Sequence, residues 1–301
     1  MKFRIIPKIS RGIYISVKPR HDSAGGGANT FSWNYHRFLV RNQIPTVDNL
    51  LFAEKTVVIA DKVNLNLLWL AKKTGCFILH RLDEHFEKNE LPARRKRHDK
   101  IIRINRLADV TVFQSEFVRN NVLPYLKTEN WKVIINGADP TVFHDNQRER
   151  IYVGHVTNSV GDKKRLDLLE KAIKEHPEEK FLLVGNHNKS TINFSCYSNV
   201  KMIGSVGKDE LAGYYQTMKC LYFPSENDPC PNTVVESILS GVPVCYNRVG
   251  GTVEIVRDCG LPLDQFNILL QEIPQLHKNC ADRDDLHFDL VAKKYMNLMH
   301  C

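Results

Sequence analysis

No apolar run in the 301 residues approaches the ~20 that a membrane-spanning helix needs. The opening MKFRIIPKISRG lacks the apolar core of roughly 7–15 residues that marks a secretory leader. None of the eight cysteines (Cys76, Cys196, Cys220, Cys230, Cys245, Cys259, Cys280 and Cys301) forms a C-x-x-C pair, so a zinc site is not expected. There is no low-complexity tract and no repeat beyond a general strand–helix rhythm. One sign of charge does not dominate: 42 Lys and Arg stand against 34 Asp and Glu, a formal charge of +8. That balance suits an anionic ligand without calling for nucleic acid. With 43% hydrophobic and 25% charged residues, the composition is ordinary for a folded globular chain. The expectation is a cytoplasmic protein with reduced, mostly buried thiols, soluble or peripherally associated with a membrane.

At roughly 100–200 residues per domain, the length suggests two domains. Short β-branched and aromatic runs, apolar on both faces, fall in two series. The first is Gly12–Val17, Thr56–Ala60, Cys76–Leu79, Val110–Phe113 and Lys132–Ile135. The second is Ile151–Val156, Phe181–Val184, Val200–Ile203, Cys220–Phe223 and Pro243–Tyr246. Such runs read as buried parallel strands, and the amphipathic stretches between them, such as Leu166–His176, read as crossover helices. The polar stretch HDNQRER, His144–Arg150, reads as a linker. The expected layout is α/β, with Rossmann-like domains at about 1–145 and 146–285 and a tail helix over Phe288–Met299, within 286–301. The tail could pack back toward the first domain.

Ligands of open α/β sheets bind beyond the carboxyl ends of the strands, so the residues after each strand are the place to look. The richest such stretch is FPSENDPCPNTVVES, Phe223–Ser237. A strand ends at Phe223, a loop carries Ser225, Glu226 and Asp228, and Asn232 is expected to cap a helix over Thr233–Leu239. The first turn of such a helix offers free N–H groups and a positive dipole end, which suit a diphosphate. Glu236 could accept hydrogen bonds from a ribose diol, and Asp228 from sugar hydroxyls.

These residues resemble the signature of retaining family 4 glycosyltransferases, which have the two-domain GT-B fold. The matching elements are Pro224-Ser225, Asp228, Glu236, Gly241-Val242-Pro243-Val244 and Gly250-Gly251-Thr252-Val253-Glu254. Asp228 stands where the family usually has glutamate, and Glu226 is a rival for that place. Val133–Phe143 (VIINGADPTVF) and Val110–Arg119 (VTVFQSEFVR) resemble further family segments. Lys164 matches the family lysine that contacts the diphosphate, with Lys163 a close competitor. Arg165 stands where glycine is usual, and Ser159 where an arginine is usual. Phosphate neutralisation could therefore rest on other groups, such as Arg81 or Asn158.

The resemblance implies a GT-B pair of Rossmann-like domains facing each other across a cleft, with the acceptor on the first and a nucleotide-diphosphate sugar, GDP-mannose or a UDP-sugar, on the second. It implies no metal and no cofactor. Amides near Asn232–Thr233, with Lys164, would hold the diphosphate, and Pro231 would line the same donor-binding turn. Gly204 and Ser205 would meet the base, and Asp228 the sugar. The loop Ser23–Asn29 (SAGGGAN), with Gly26 and Gly27, would face the phosphates. After the strand Cys76–Leu79, either His80 or Asp83 would contact the transferred sugar. The acceptor would be a carbohydrate, lipid-linked or protein-linked hydroxyl. The basic run Arg94–Arg97 offers contact with an anionic acceptor or membrane surface. The alternatives are a catalytically weak nucleotide-sugar-binding protein and a GT-B-fold epimerase or phosphorylase.

Overall fold

The computed structural model describes residues 12–19, 26–86 and 91–299. The chain divides into two compact units, one comprising 1–21, 28–134 and 292–301, the other 22–27 and 135–291. In the first unit five parallel strands pair in chain order: β1 Gly12–Ile15, β2 Ala53–Ile59, β3 Phe77–Leu82, β4 Val110–Phe113 and β5 Trp131–Val133. Helices α1 Gly27–Arg41, α2 Leu65–Lys73, α3 Pro92–Asn105 and α4 Glu116–Val122 connect them. Strands β2 to β4 are almost wholly buried, as their two-sided apolar pattern requires.

The second unit holds a six-stranded parallel sheet. Its strands are β6 Tyr152–Thr157, β7 Lys180–Gly185, β8 Val200–Ile203, β9 Met218–Phe223, β10 Val244–Tyr246 and β11 Gly260–Pro262. Their spatial order is β11-β10-β9-β6-β7-β8. Helices α5 Leu166–Glu175, α6 Lys208–Tyr215, α7 Asn232–Leu239, α8 Thr252–Val256 and α9 Phe266–Ala281 pack on it. Helix α5 shows the pattern at work: Leu166, Leu169, Ala172 and Ile173 recur every three or four residues and are buried.

Three features differ from the sequence reading. The chain leaves the first unit after Ile134, not at residue 145. The His144–Arg150 stretch is not a free linker but belongs to the second unit. Arg150 bonds Asp145 at 2.7 Å and the carbonyls of Ser240, Tyr215 and Met218 at 2.7, 3.2 and 3.1 Å. Its polarity served a hydrogen-bonded seam. Strand β11 reads Gly-Leu-Pro, with no β-branched or aromatic residue, and so does not stand out in the sequence.

The tail forms α10 Phe288–Leu298, and its residues from Ala292 onward group with the first unit. There Tyr295 packs against Phe31 and Tyr35 of α1, with ring centroids 5.1 and 6.0 Å away. The Tyr35 hydroxyl lies 3.2 Å from Met296 Sδ.

Candidate active site

The strand order of the second sheet reverses between β6 and β9. A crevice opens at such a switch point, because the loops leaving the two strands turn to opposite sides. The loop after β6 carries Lys163, Lys164 and Arg165, and the loop after β9 carries Glu226 and Asp228. The structure brings these loops together. Glu226 N donates to Lys163 O at 2.8 Å, Lys164 Nζ bonds Asp228 Oδ2 at 3.2 Å, and Arg165 pairs closely with Glu226. Arg165 also bonds Asp167 at 2.8 and 3.0 Å. Its backbone is left-handed, with φ 46° and ψ 50°. That conformation favours glycine and explains why a glycine is at home there. Lys164 and Asp228 are each about one-fifth to one-quarter exposed, reachable from solvent yet held in place.

The Asp228 loop is pinned from below. Gly251 N donates to Asp228 O at 2.9 Å, and a Cβ on Gly250, where φ is +107°, would lie 2.9 Å from the same oxygen. Only glycine permits that approach. Helix α7 then begins one residue earlier than expected: Pro231 is its N-cap and Asn232 its first residue. The Asn232 side chain does not cap, because its Oδ1 accepts from Asn136 Nδ2 at 2.9 Å. Asn136 Nδ2 also reaches Cys230 O at 3.2 Å. The N-G segment at 136–137 thus props the start of α7, where Asn232 and Thr233 carry N–H groups with no helical partner. Gly26 and Gly27 are exposed and group with the second unit; a Cβ on Gly27 would lie 3.7 Å from Asn232 Nδ2. Ser23, Ala24 and Gly25 lie outside the described residues.

A second polar cluster lies beyond β6, β7 and β8. Ser205 Oγ is 3.0 Å from Asn186 Oδ1 and 3.3 Å from Asn158 Oδ1, and Asn186 Nδ2 donates to Asn158 O at 3.0 Å. Gly204, also exposed, accepts from Gly185 N at 3.1 Å. Asn186 escaped the sequence reading, although it directly follows the Gly185 that ends β7. Beneath this rim His155 Nδ1 and His187 Nε2 lie 2.6 Å apart. Burial holds both imidazoles well below their ordinary range, His187 at about 4.

Glu236 is nearly shut off from solvent. It is 5% exposed, one turn into α7. Tyr215 OH bonds Thr233 O at 3.1 Å and approaches Glu236 Oε2 at 3.5 Å. Burial raises the Glu236 carboxyl to about 7, against the opposing effects of Lys208 and the Tyr215 hydrogen bond.

The first-unit candidates fare differently. His80 is fully buried, so it does not present a ring to solvent. Its Nε2 lies 2.9 Å from Ala60 O, an acceptor, and its Nδ1 lies 3.1 Å from Asn105 Nδ2, a donor. Those partners assign the proton to Nε2 and keep the ring neutral; burial lowers its pKa to about 4. Arg81 is likewise fully buried, with its guanidinium 4.0 Å from the Phe31 ring centroid. Asp83, partly exposed, lies 3.5 Å from Arg81 Nη1. The basic run begins α3, but not all of it is available. Arg97 pairs with Asp61 at 3.0 Å and closely with Glu84, and His98 stacks on Phe86 at 3.8 Å. Arg94, Arg95 and Lys96 remain exposed.

Residues 147–265 match the family model described as "Glycosyl transferases group 1". The fold resembles that of sucrose-phosphate synthase from Thermosynechococcus elongatus, with a TM-score of 0.74 at 14% identity, covering 96% of this chain and 98% of that one. It resembles Anabaena HepE, solved with UDP-glucose, at a TM-score of 0.71 and 13% identity, over 96% and 98% of the two chains.

The fold is GT-B.

In sequence, an uncharacterized glycosyltransferase of Methanocaldococcus jannaschii, MJ1607, is 23% identical over 133 residues, 42% of this chain. The matched stretches span 34, 25 and 52% of the curated relatives' own lengths. Within the GT-B framework, the matched segment contains the whole switch-point crevice and both clusters described above. Among the described residues no helix is long and apolar enough to cross a membrane, and no three metal-ligating side chains converge. Of the seven described cysteines, all free, six are buried and Cys196 is exposed.

Proposed function

We propose that the chain is a retaining glycosyltransferase that moves a hexose from a nucleotide-diphosphate sugar to a hydroxyl of a glycan, lipid-linked or protein-linked acceptor. The observation that carries this reading is the convergence of Lys164, Asp228 and the start of α7 at the switch point, inside the segment that matches the group 1 family. Lys164 and the N–H groups of Asn232 and Thr233 would receive the diphosphate. Charge grows on that group as the glycosidic bond breaks, so stabilising it is the principal catalytic task. Lys164 would exchange its contact with Asp228 for the phosphate and leave the aspartate to accept from sugar hydroxyls. The C1–phosphate bond breaks, the acceptor oxygen forms a new bond to C1 on the same face, and its proton passes to the departing diphosphate. This scheme uses protein cations for charge and calls for no metal. Asn158, Asn186, Gly204 and Ser205 supply polar groups for the nucleoside, and Glu236 a carboxylate for the ribose. Contact with an anionic membrane would fall to Arg94, Arg95 and Lys96.

The test is calorimetric titration with UDP-glucose, other UDP-sugars and GDP-mannose, followed by product analysis. UDP-sugars lead because HepE holds UDP-glucose. Absence of binding to every donor would refute the reading. A second reading, a binding protein without turnover, is favoured by the burial of Glu236 and by the Asp228 carboxylate already seated on Lys164. Donor binding without transfer or hydrolysis would select it.

A further inference from the structure

A shallow, wide-open cavity of about 760 Å³ lies wholly within the first unit. Its walls come from the ends of β1 and β2 and from α3, and its charged lining is Lys18, Lys62, Lys100 and Asp61. The lining thus holds three lysines against one carboxylate, and that carboxylate also bonds Arg97, outside the lining. Asp61 accepts from Arg97 Nε at 3.0 Å; burial works against its charge, but the Arg97 bond outweighs it and holds the carboxyl below its ordinary value. Lys62 lies 3.6 Å from Asp61 and keeps half its side chain exposed. Lys18 has only a 3.8 Å approach to Asp48, with both side chains open to water.

The cavity floor is built, not incidental. Ala60 turns the chain at the end of β2 with φ +47°, an unfavourable conformation for a residue with a side chain. The buried His80 ring holds the Ala60 carbonyl at 2.9 Å, and Ala60 N donates to Arg81 O at 2.9 Å. Lys62 N closes the turn on Ile59 O at 2.9 Å. The turn presents Asp61 and Lys62 to the cavity. Ser16, also in the lining, bonds Ile59 N through Oγ at 2.9 Å and ties β1 to the same floor.

We infer that this cavity seats an anionic group, phosphate or carboxylate, carried by the acceptor. The inference names an acidic acceptor class for the proposed transferase and rests on that reading; the anion seat itself does not. Ammonium groups around an open depression recognise either anion by charge-assisted hydrogen bonds.

The probes are mannose 6-phosphate, glucuronate and plain mannose, titrated into the full chain at low salt. The anionic sugars are expected to bind and mannose not to, and the stronger of the two anions identifies the source. The double variant Lys62→Gln/Lys100→Gln should lose about tenfold in affinity for the anionic sugar. It should leave UDP-glucose affinity unchanged. Lys171→Gln/Lys278→Gln, two exposed lysines of the second unit, should change neither. Mannose binding as well as its phosphate, an unaffected Lys62/Lys100 variant, or an equal loss in the second-unit variant would each overturn the inference. Lysine-dependent anion binding without any nucleotide-sugar binding would uphold the seat while removing the transferase reading.

Discussion

Replacing Glu236 by Gln should make the protein more stable at pH 8 and a poorer binder of its nucleotide. The carboxyl lies 5% exposed against Tyr215, and burial raises it to about 7. In the unfolded chain the same group releases its proton near 4.5. Between those values the fold keeps a proton that the unfolded chain has lost, so stability falls as pH rises through this window. At about 1.4 kcal/mol per pH unit, the rise from pH 5 to pH 7 removes about 3 kcal/mol, and nothing more is lost above it. Glutamine carries no such penalty and can still accept from Tyr215. Urea unfolding of both proteins at pH 5 and pH 8 gives the comparison. The variant's advantage should grow by about 3 kcal/mol between the two conditions. Other titrating groups are common to both proteins and cancel. A stability difference that does not change with pH would show a solvated carboxylate and refute the argument. Calorimetry at pH 8 should meanwhile show UDP-glucose affinity lowered by ~1–3 kcal/mol, the usual result of losing a buried polar partner. A residue that weakens the fold yet strengthens the ligand is what a binding role predicts.

Lys164→Ala should weaken nucleotide-sugar binding by ~1.5–3 kcal/mol, the range for a hydrogen bond to a charged group, and weaken the bare nucleoside little. Equal losses for both ligands in calorimetry would move Lys164 away from the phosphates. Gly250→Ala should destabilise the fold by ~2 kcal/mol or more, since its Cβ would press on Asp228 at 2.9 Å at φ +107°; an unchanged melting temperature would contradict the pinned loop. His80 and His187 stay neutral down to about pH 4, whereas an unfolded imidazole takes up a proton below about 6.5. The unfolded chain therefore binds more protons in that window, and stability should drop as pH falls, by about 2 kcal/mol per histidine between pH 6.5 and 5. Urea midpoints measured over that range should show the decline, and His80→Gln should reduce it by about 2 kcal/mol.

Much of the fold is legible in the residues because buried parallel strands need apolar side chains on both faces. That requirement marks β2, β4, β7 and β9 directly; the strand-end rule then points to Asp228 and Asn232, and the resemblance to Lys164. The left-handed backbone of Arg165 and the close approach at Gly250 explain two positions at which the resemblance turned on glycine. The polar 144–150 stretch misled, because a run of polar residues looks the same whether it meets water or a row of backbone carbonyls.

The order of residues along the chain was sufficient to establish two series of parallel strands and the loops that follow them. It could not say that the second sheet reverses between β6 and β9, since strand order is a matter of which edges pair. That pairing alone sets Lys164 against Asp228 across 64 positions of sequence. Nor could it separate His80 from Asp83: both are polar and follow the apolar run Cys76–Leu79, although β3 in fact continues through His80 to Leu82. Only packing placed the imidazole between Ala60 and Asn105, with no water in reach, and left the aspartate at the surface.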